Sequence, residues 1–354
     1  MSAYELKIIL EDYTTMNEKD LFLNYKKLPA IFSEKVWNII RIFSILILIS
    51  LILLLYFQNK TGLFIFWRII IPIVPLTLFL STGIWRNVCA LATLNQIPRN
   101  LGFAKGDKIW NWSKKYGFIV ACTLFLVCVT GRKILFNTNA YALIFLILFL
   151  GSFAFIMGIV YKGKSGWCNT FCPIMPVERL YGHSPFFNVR NCFMDCVGCT
   201  KNCFDVCPDI AFLKDLYDKD PFFSNSRKFF AGLFPGFIAG FYLIPDPPQI
   251  PIHIMYLYFA ISCSISLISM YLLGFIFFKR RAGLLISIYG ILALNTYYWF
   301  NVPLYVEIFT SSKSILIIAL IWLIKLLIFS LTIIWLKKSY IKESVYQKKY
   351  IKKK

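Results

Sequence analysis

Apolar residues along this chain fall in long blocks rather than at helical or strand period, and several blocks reach the ~20 residues a helix needs to cross a bilayer. The pattern predicts eight membrane-spanning helices, over roughly 38–57, 65–84, 116–131, 141–161, 229–245, 254–278, 283–300 and 314–336. The third is the weakest, because Arg132 closes it early. Arg41 and Arg68 lie near span ends, where long side chains can reach the interface. Lys325 falls inside the eighth span, where a charge is costly and normally faces a partner or a cavity. The first apolar run begins well into the chain, so no cleavable signal peptide is expected.

The composition fits that pattern. Of 354 residues, 58% are hydrophobic and 16% charged, too little charge for the surface of a soluble protein of this length. The net charge of +21 would suit nucleic acid, but its distribution has another reason. Of the 38 Lys and Arg, 31 fall in the N-terminal arm, in 85–116, 162–228 and 279–282, and after 336, which are alternate inter-span segments. Such alternation places both termini in the cytoplasm of a multi-pass protein of the cytoplasmic (inner) membrane, with membrane lipid and not nucleic acid as the partner of the basic residues. The Lys-rich tail KKYIKKK reads as a solvated end attracted to anionic lipid. Five segments follow: an arm (1–36), a four-helix membrane region with a Cys89 loop (37–161), a cysteine-rich loop (162–228), a second four-helix membrane region (229–336) and a basic tail (337–354). The fold class is thus an all-α polytopic membrane protein with a ferredoxin-like cysteine-rich cytoplasmic loop.

The cysteines carry the chemistry. Cys168, Cys172, Cys192, Cys196, Cys199, Cys203 and Cys207 lie in the 162–228 loop, and Cys89 lies in the basic loop after span two. Cys122, Cys128 and Cys263 sit inside spans, as small buried hydrophobes do. Thiols gathered on the reducing side at ligand spacing point to metal rather than disulfides. CVGCTKNCFDVCP (196–208) holds four cysteines in C-x2-C-x3-C-x3-C-P order, and C-x3-C-P occurs also at Cys168–Cys172–Pro173. Short runs of this kind let thiolates reach the irons of a cubane while backbone N–H groups wrap its sulfides. A structural zinc site is the alternative, although zinc knuckles usually come as two separated pairs. STGIWRNVCALATLN after span two weakly echoes KGKSGWCNTFCPIMP after span four, with Cys89 aligned on Cys172, Trp85 on Cys168 and Ala90 on Pro173.

The order of hairpin, cysteine loop, second hairpin, CxxxCP loop and ferredoxin motif, over roughly 38–215, resembles the polyferredoxin-type membrane iron–sulfur family. That family includes quinol-oxidising membrane subunits of periplasmic nitrate reductase systems, nitrous oxide reductase support proteins and oxidase-linked membrane ferredoxins. In it both hairpins end in CxxxCP and the ferredoxin motif usually occurs twice with a shorter middle gap. Here one stretched copy stands, and the first hairpin retains only Cys89. The resemblance implies [4Fe-4S] clusters, one or two. Cys196, Cys199, Cys203 and Cys207 suffice for one. A ferredoxin-style exchange would put Cys172 with Cys196, Cys199 and Cys203, leaving Cys168, Cys207, Cys192 and Cys89 for a second.

The implied function is membrane-bound electron transfer from quinol or a soluble donor to a redox partner protein, as a component of an oxidoreductase system rather than a stand-alone catalyst. Two other functions use the same residues differently: a maturation factor reducing a metal or cofactor for a respiratory enzyme, and a permease with a zinc-stabilised loop, which Lys325 would favour. His183 and His253 are expected on opposite faces, which leaves no histidine pair to hold a haem. His183 is read as a structural surface histidine or, less simply, a quinone ligand. No dinucleotide fingerprint or Walker loop is present in the sequence.

Overall fold

A computed structural model describes residues 29–192, 203–205, 207–218, 220–278, 281–309 and 315–351. The described residues are helical apart from short connections, with an isolated bridge between Asp107 and Tyr161. In chain order the helices are α1 (Glu34–Phe57), α2 (Asn59–Leu80), α3 (Thr82–Val88), α4 (Ala90–Asn100), α5 (Asn111–Phe136), α6 (Ala140–Val160), α7 (Met175–Tyr181), α8 (Pro208–Leu216), α9 (Pro221–Leu243), α10 (Ile252–Ile276), α11 (Ala282–Phe309) and α12 (Ile315–Tyr346).

Local chemistry sets the boundaries. Ser33, Ser81 and Asn139 cap α1, α3 and α6, their side-chain oxygens accepting from Val36, Ile84 and Ala142 N–H. Asp220 caps α9 ahead of Pro221, whose fixed φ and missing donor suit the first helical position. Within α2, a π-turn over Ile65–Ile70 precedes Pro72 and Pro75.

Seven helices are long and apolar enough to cross a membrane: α1, α2, α5, α6, α10, α11 and α12. The expected fifth span lies within α9, a 23-residue helix whose first turns carry Arg227 and Lys228. α9 is the interior helix of the bundle. Phe230, Phe234 and Phe237 are buried, and Phe125 packs edge-on against Phe234. Its Gly232, Gly236 and Gly240 recur every fourth residue, the small-residue spacing that lets membrane helices approach closely. A Cβ on Gly236 would fall 2.1 Å from Ser262 O on α10, and Ser266 Oγ donates to Gly232 O at 2.6 Å. Because its neighbours cover it, α9 does not need the uniformly apolar surface of a lipid-facing helix.

Two polar clusters mark the ends of α9. At its start Arg227 pairs with Asp215 at 2.9 Å. Just past its end, Ile244 O accepts from Lys133 Nζ at 2.8 Å, and Lys133 also pairs with Asp246. The third span therefore does not stop at Arg132. α5 runs on to Phe136 because Arg132 stacks over Trp67 (4.4 Å) and Phe241 (5.2 Å) while Lys133 finds its oxygen partners. The last helix also outruns its expected end: α12 continues to Tyr346, burying Ser339, Lys342 and Glu343.

Candidate functional site

The polar face that carries the cysteines is organised around Arg86, a buried residue of α3. Its Nε and Nη2 donate to the two oxygens of Glu178 on α7, at 2.5 and 2.9 Å. Nη1 donates to Asp205 Oδ1 at 2.5 Å, and Nη2 also reaches Asn169 Oδ1 at 3.2 Å. One guanidinium thus ties the first hairpin loop, the CxxxCP loop, α7 and the ferredoxin-like motif. Asp205 lies between Cys203 and Cys207, and its second oxygen is 3.3 Å from Lys164 Nζ. Burial alone would push the Asp205 carboxyl up, but Arg86 and Lys164 outweigh it and hold the group below the ordinary carboxylate range. Lys164 also donates to Asn191 Oδ1 at 2.9 Å, and Arg41 on α1 donates to Asn87.

Cys89, Cys168 and Cys172 come together from two hairpin loops. They share one packing cluster with Ala92, Ala154 and Trp167. The approach of α4 to α6 makes this possible, since a Cβ on Gly158 would meet Asn95 O at 2.1 Å. Burial pushes the Cys168 thiol up to about 12 despite the pull of Arg86 and Lys164, and burial likewise raises Cys89 and Cys172. The free thiols are therefore protonated at neutral pH, and any metal entering here must displace protons.

Three cysteines share a second feature. Cys89 is the N-cap of α4, with no side-chain cap hydrogen bond, and burial outweighs the downward pull of the nearby Leu91 and Ala92 N–H groups on its thiol. Cys172 precedes Pro173 and lies just ahead of α7, whose N-cap is Ile174, and burial outweighs the downward pull of Ile174 N–H on its thiol. Cys207 is the N-cap of α8, with Pro208 at the first helical position and no side-chain cap hydrogen bond; burial and the Asp209 carboxylate push its thiol up. The Cys207–Pro208 pair has a local reason, since proline suits the first helical position of α8; Pro173 lies ahead of α7, whose first turn carries Pro176 instead.

Cys207 and Cys192 are placed apart from that packing cluster. The Cys207 thiol donates to Asp209 Oδ1 at 3.0 Å, and Asp209 pairs with Lys342 of α12 at 2.7 Å. Cys192 lines a cleft of roughly 600 Å³ between α1 and α4, walled on the α1 side by Ile42, Ile45 and Leu46, with Arg41 and Lys164 also lining it. Cys203 accepts a long backbone bond from Cys207 N–H, 3.4 Å. Cys196 and Cys199 lie outside the described residues. Among the described residues no three His, Cys, Asp or Glu side chains form a group that could hold a metal ion. The donors fit an iron–sulfur cluster in kind, being soft thiols beside two buried cations that would offset thiolate charge; the described residues do not complete a ligand set.

His183 is not a surface histidine. It is 2% exposed, stacked on Phe212 at 4.0 Å between ring centroids. Its Nδ1–H donates to Leu180 O at 2.9 Å, leaving Nε2 to accept from the Ser339 hydroxyl at 3.1 Å; Ser287 Oγ, which donates to Gly283 O, is equally 3.1 Å away. Burial holds its pKa down at about 3, so the ring is neutral at physiological pH. Lys325 does not face the interior of the bundle; it lies over Trp299 and Trp322 at the outer seam of α11 and α12.

Sequence reasoning missed Arg86, Lys164, Glu178, Asp205 and Asp209. The available signals were small: one arginine a single turn before Cys89, and one acidic residue inside the last C-x3-C.

The fold defines an all-α polytopic membrane protein. Compared with protein-family models, with curated proteins and with solved structures, the chain matches none.

Proposed function

We propose that this is a membrane iron–sulfur electron-transfer protein whose cysteines hold one or two [4Fe-4S] clusters at the cytoplasmic face of the inner membrane. The observation that carries the reading is the gathering of Cys89, Cys168 and Cys172 in one packing cluster. Three thiols from two separate loops pack together beside the buried cations Arg86 and Lys164, soft donors whose thiolate charge those cations would offset. Cys203, Cys207 and the motif cysteines Cys196 and Cys199 bring the supply to seven, and Cys192 would be the eighth thiolate if two clusters form.

The cleft between α1 and α4 supports a membrane-borne donor. Its apolar α1 wall and polar end suit an amphiphile such as quinol, with the cysteine face close by. The chain's own residues would bind the ring and tail and hold the ligating loops in register through Arg86 and Lys164. A redox partner protein would take the electrons onward.

The deciding measurement is iron and acid-labile sulfide per chain in anaerobically purified protein, with EPR of the reduced form. About four irons correspond to one cluster and about eight to two. A colourless, zinc-loaded protein refutes the reading.

A further inference from the structure

α12 contains an unbroken membrane run, Ile315 to Leu336, in which Lys325 is the single charged residue and lies at the centre. At 1.5 Å per residue its Cα is about 15 Å from either end of the run, the middle of a hydrocarbon layer about 30 Å thick. A lysine stem cannot carry the ammonium from that depth to the headgroups, so lipid phosphate does not reach it.

The side chain is also not turned into the protein. The residues of α12 packed against the core are Ile321, Ile324, Ile328, Leu331 and Trp335. Lys325 flanks this row, half-buried, with Nζ 3.9 Å from the Trp299 ring centroid and 5.3 Å from that of Trp322. The two indoles meet edge-on at 5.5 Å and are themselves 51% and 49% exposed. Aromatic faces attract a cation but do not neutralise it. Among the described residues no carboxylate pairs with Lys325. The acidic residues within the membrane helices are Glu34, Glu307 and Glu343, all near helix ends and none at this depth. A second copy meeting this one across a twofold axis at the seam would set lysine against lysine.

We propose that the outer seam of α11 and α12 docks a transmembrane helix of a different protein, and that this helix carries an Asp or Glu at mid-span that pairs with Lys325. Ile318, Trp322, Phe329 and Ile333 run along the same side of α12 and are exposed, giving the partner helix apolar contact above and below the ion pair. The cost of a mid-bilayer charge is then met by a partner of opposite sign, the arrangement in which intramembrane charges persist. This inference stands independently of the cysteine chemistry.

The probe is a synthetic Leu/Ala transmembrane helix of about 20 residues with one central Glu, labelled for energy transfer to the labelled full-length protein in phosphatidylcholine vesicles. The Glu helix should bind the wild-type chain about tenfold tighter than matched helices with central Gln or Leu. Lys325→Met should erase that preference, and Lys325→Glu should transfer it to a helix with a central Lys. Lys325→Met leaves the run uniformly apolar, so insertion is not at risk. Equal binding of the Glu, Gln and Leu helices overturns the proposal, as does a preference that survives in Lys325→Met. Cysteine cross-linking between two Trp322→Cys chains in the same vesicles would assign the seam to self-association and also overturn it.

Discussion

Replacing Arg86 with Met tests how the cysteine face is held. The methionine keeps most of the apolar stem but removes every donor, and the side chains concerned are nearly closed to solvent: 3% exposed for Arg86, 5% for Glu178 and 4% for Asp205. Glu178 loses a two-pronged contact of 2.5 and 2.9 Å, whereas Asp205 keeps Lys164 at 3.3 Å. Removing one partner of a buried pair costs about 3–5 kcal/mol, because the remaining charge stays desolvated and unmatched. Lys164→Met should cost less, roughly 1.5–3 kcal/mol, since Asp205 retains Arg86. The double variant Arg86→Met/Glu178→Gln removes the stranded charge and should recover part of the loss, giving a clear departure from additivity. Mixed-micelle unfolding, followed by tryptophan fluorescence, of the wild type, Arg86→Met, Lys164→Met, Glu178→Gln and the double variant supplies every value needed. A loss below about 1 kcal/mol in Arg86→Met, against the range expected for a buried pair, would refute the reasoning. So would a double variant no better than the sum of its parts.

Acidification offers a second test. The His183 ring is depressed to about 3 in the folded chain, so its stabilising effect is complete above the unfolded pKa near 6.5 and is lost as pH falls from there toward 3. Between pH 7 and pH 5 the wild type should lose about 2 kcal/mol that His183→Gln does not lose; parallel pH curves for the two proteins would refute this. Asp205, with its carboxyl held below the usual range, acts at lower pH, keeping its contribution above the unfolded carboxylate pKa and losing it only as pH falls through the depressed value. Gly236→Ala should destabilise the chain by about 1–3 kcal/mol, because the added methyl meets backbone rather than a movable side chain; unchanged unfolding would show that α9 and α10 can separate freely. If the cysteines hold iron, Cys89→Ser, Cys168→Ser and Cys172→Ser should each lower the iron count. Cys192→Ser, at the cleft and outside their packing cluster, should leave the count unchanged if one cluster is held and lower it if two are.

The membrane helices were legible because hydrophobicity is a local property: α1, α6 and α10 begin and end within a few residues of the apolar blocks that predict them. Charges near the block ends were harder to read. Arg132 looks like a stop until Trp67 and Phe241 are brought beside it, and Lys325 looks like a pore residue until the packed side of α12 is known. The cysteine spacing announced the candidate chemistry, but not which thiols meet. That depends on Gly158 admitting α4 against α6, and on Arg86 finding acceptors 92 and 119 residues away. Pairings over such separations leave no periodic trace in one sequence. His183 was misread for the same reason, since its serine partners are 104 and 156 residues distant.

Those distant partners also give the second half of the chain a role that its lack of motifs concealed. Lys342 of α12 holds Asp209, whose other oxygen accepts a hydrogen bond from the Cys207 thiol. Glu343 accepts from Gly283 and Leu284 N–H at the start of α11, at 2.7 and 2.8 Å, and from the Tyr217 hydroxyl just after α8, at 2.6 Å. Ser287 and Ser339 close on His183, which follows α7. α8 and the Cys207 end of the motif are therefore clamped by α11 and α12, while Cys89, Cys168 and Cys172 are set by the first half of the chain. The two groups of cysteines are joined through Asp205, two residues from Cys207 and bound to Arg86. A truncation after α8 would keep every cysteine of the loop yet remove Lys342 from Asp209, so the later helices help to position the motif even though they contribute no cysteine to it.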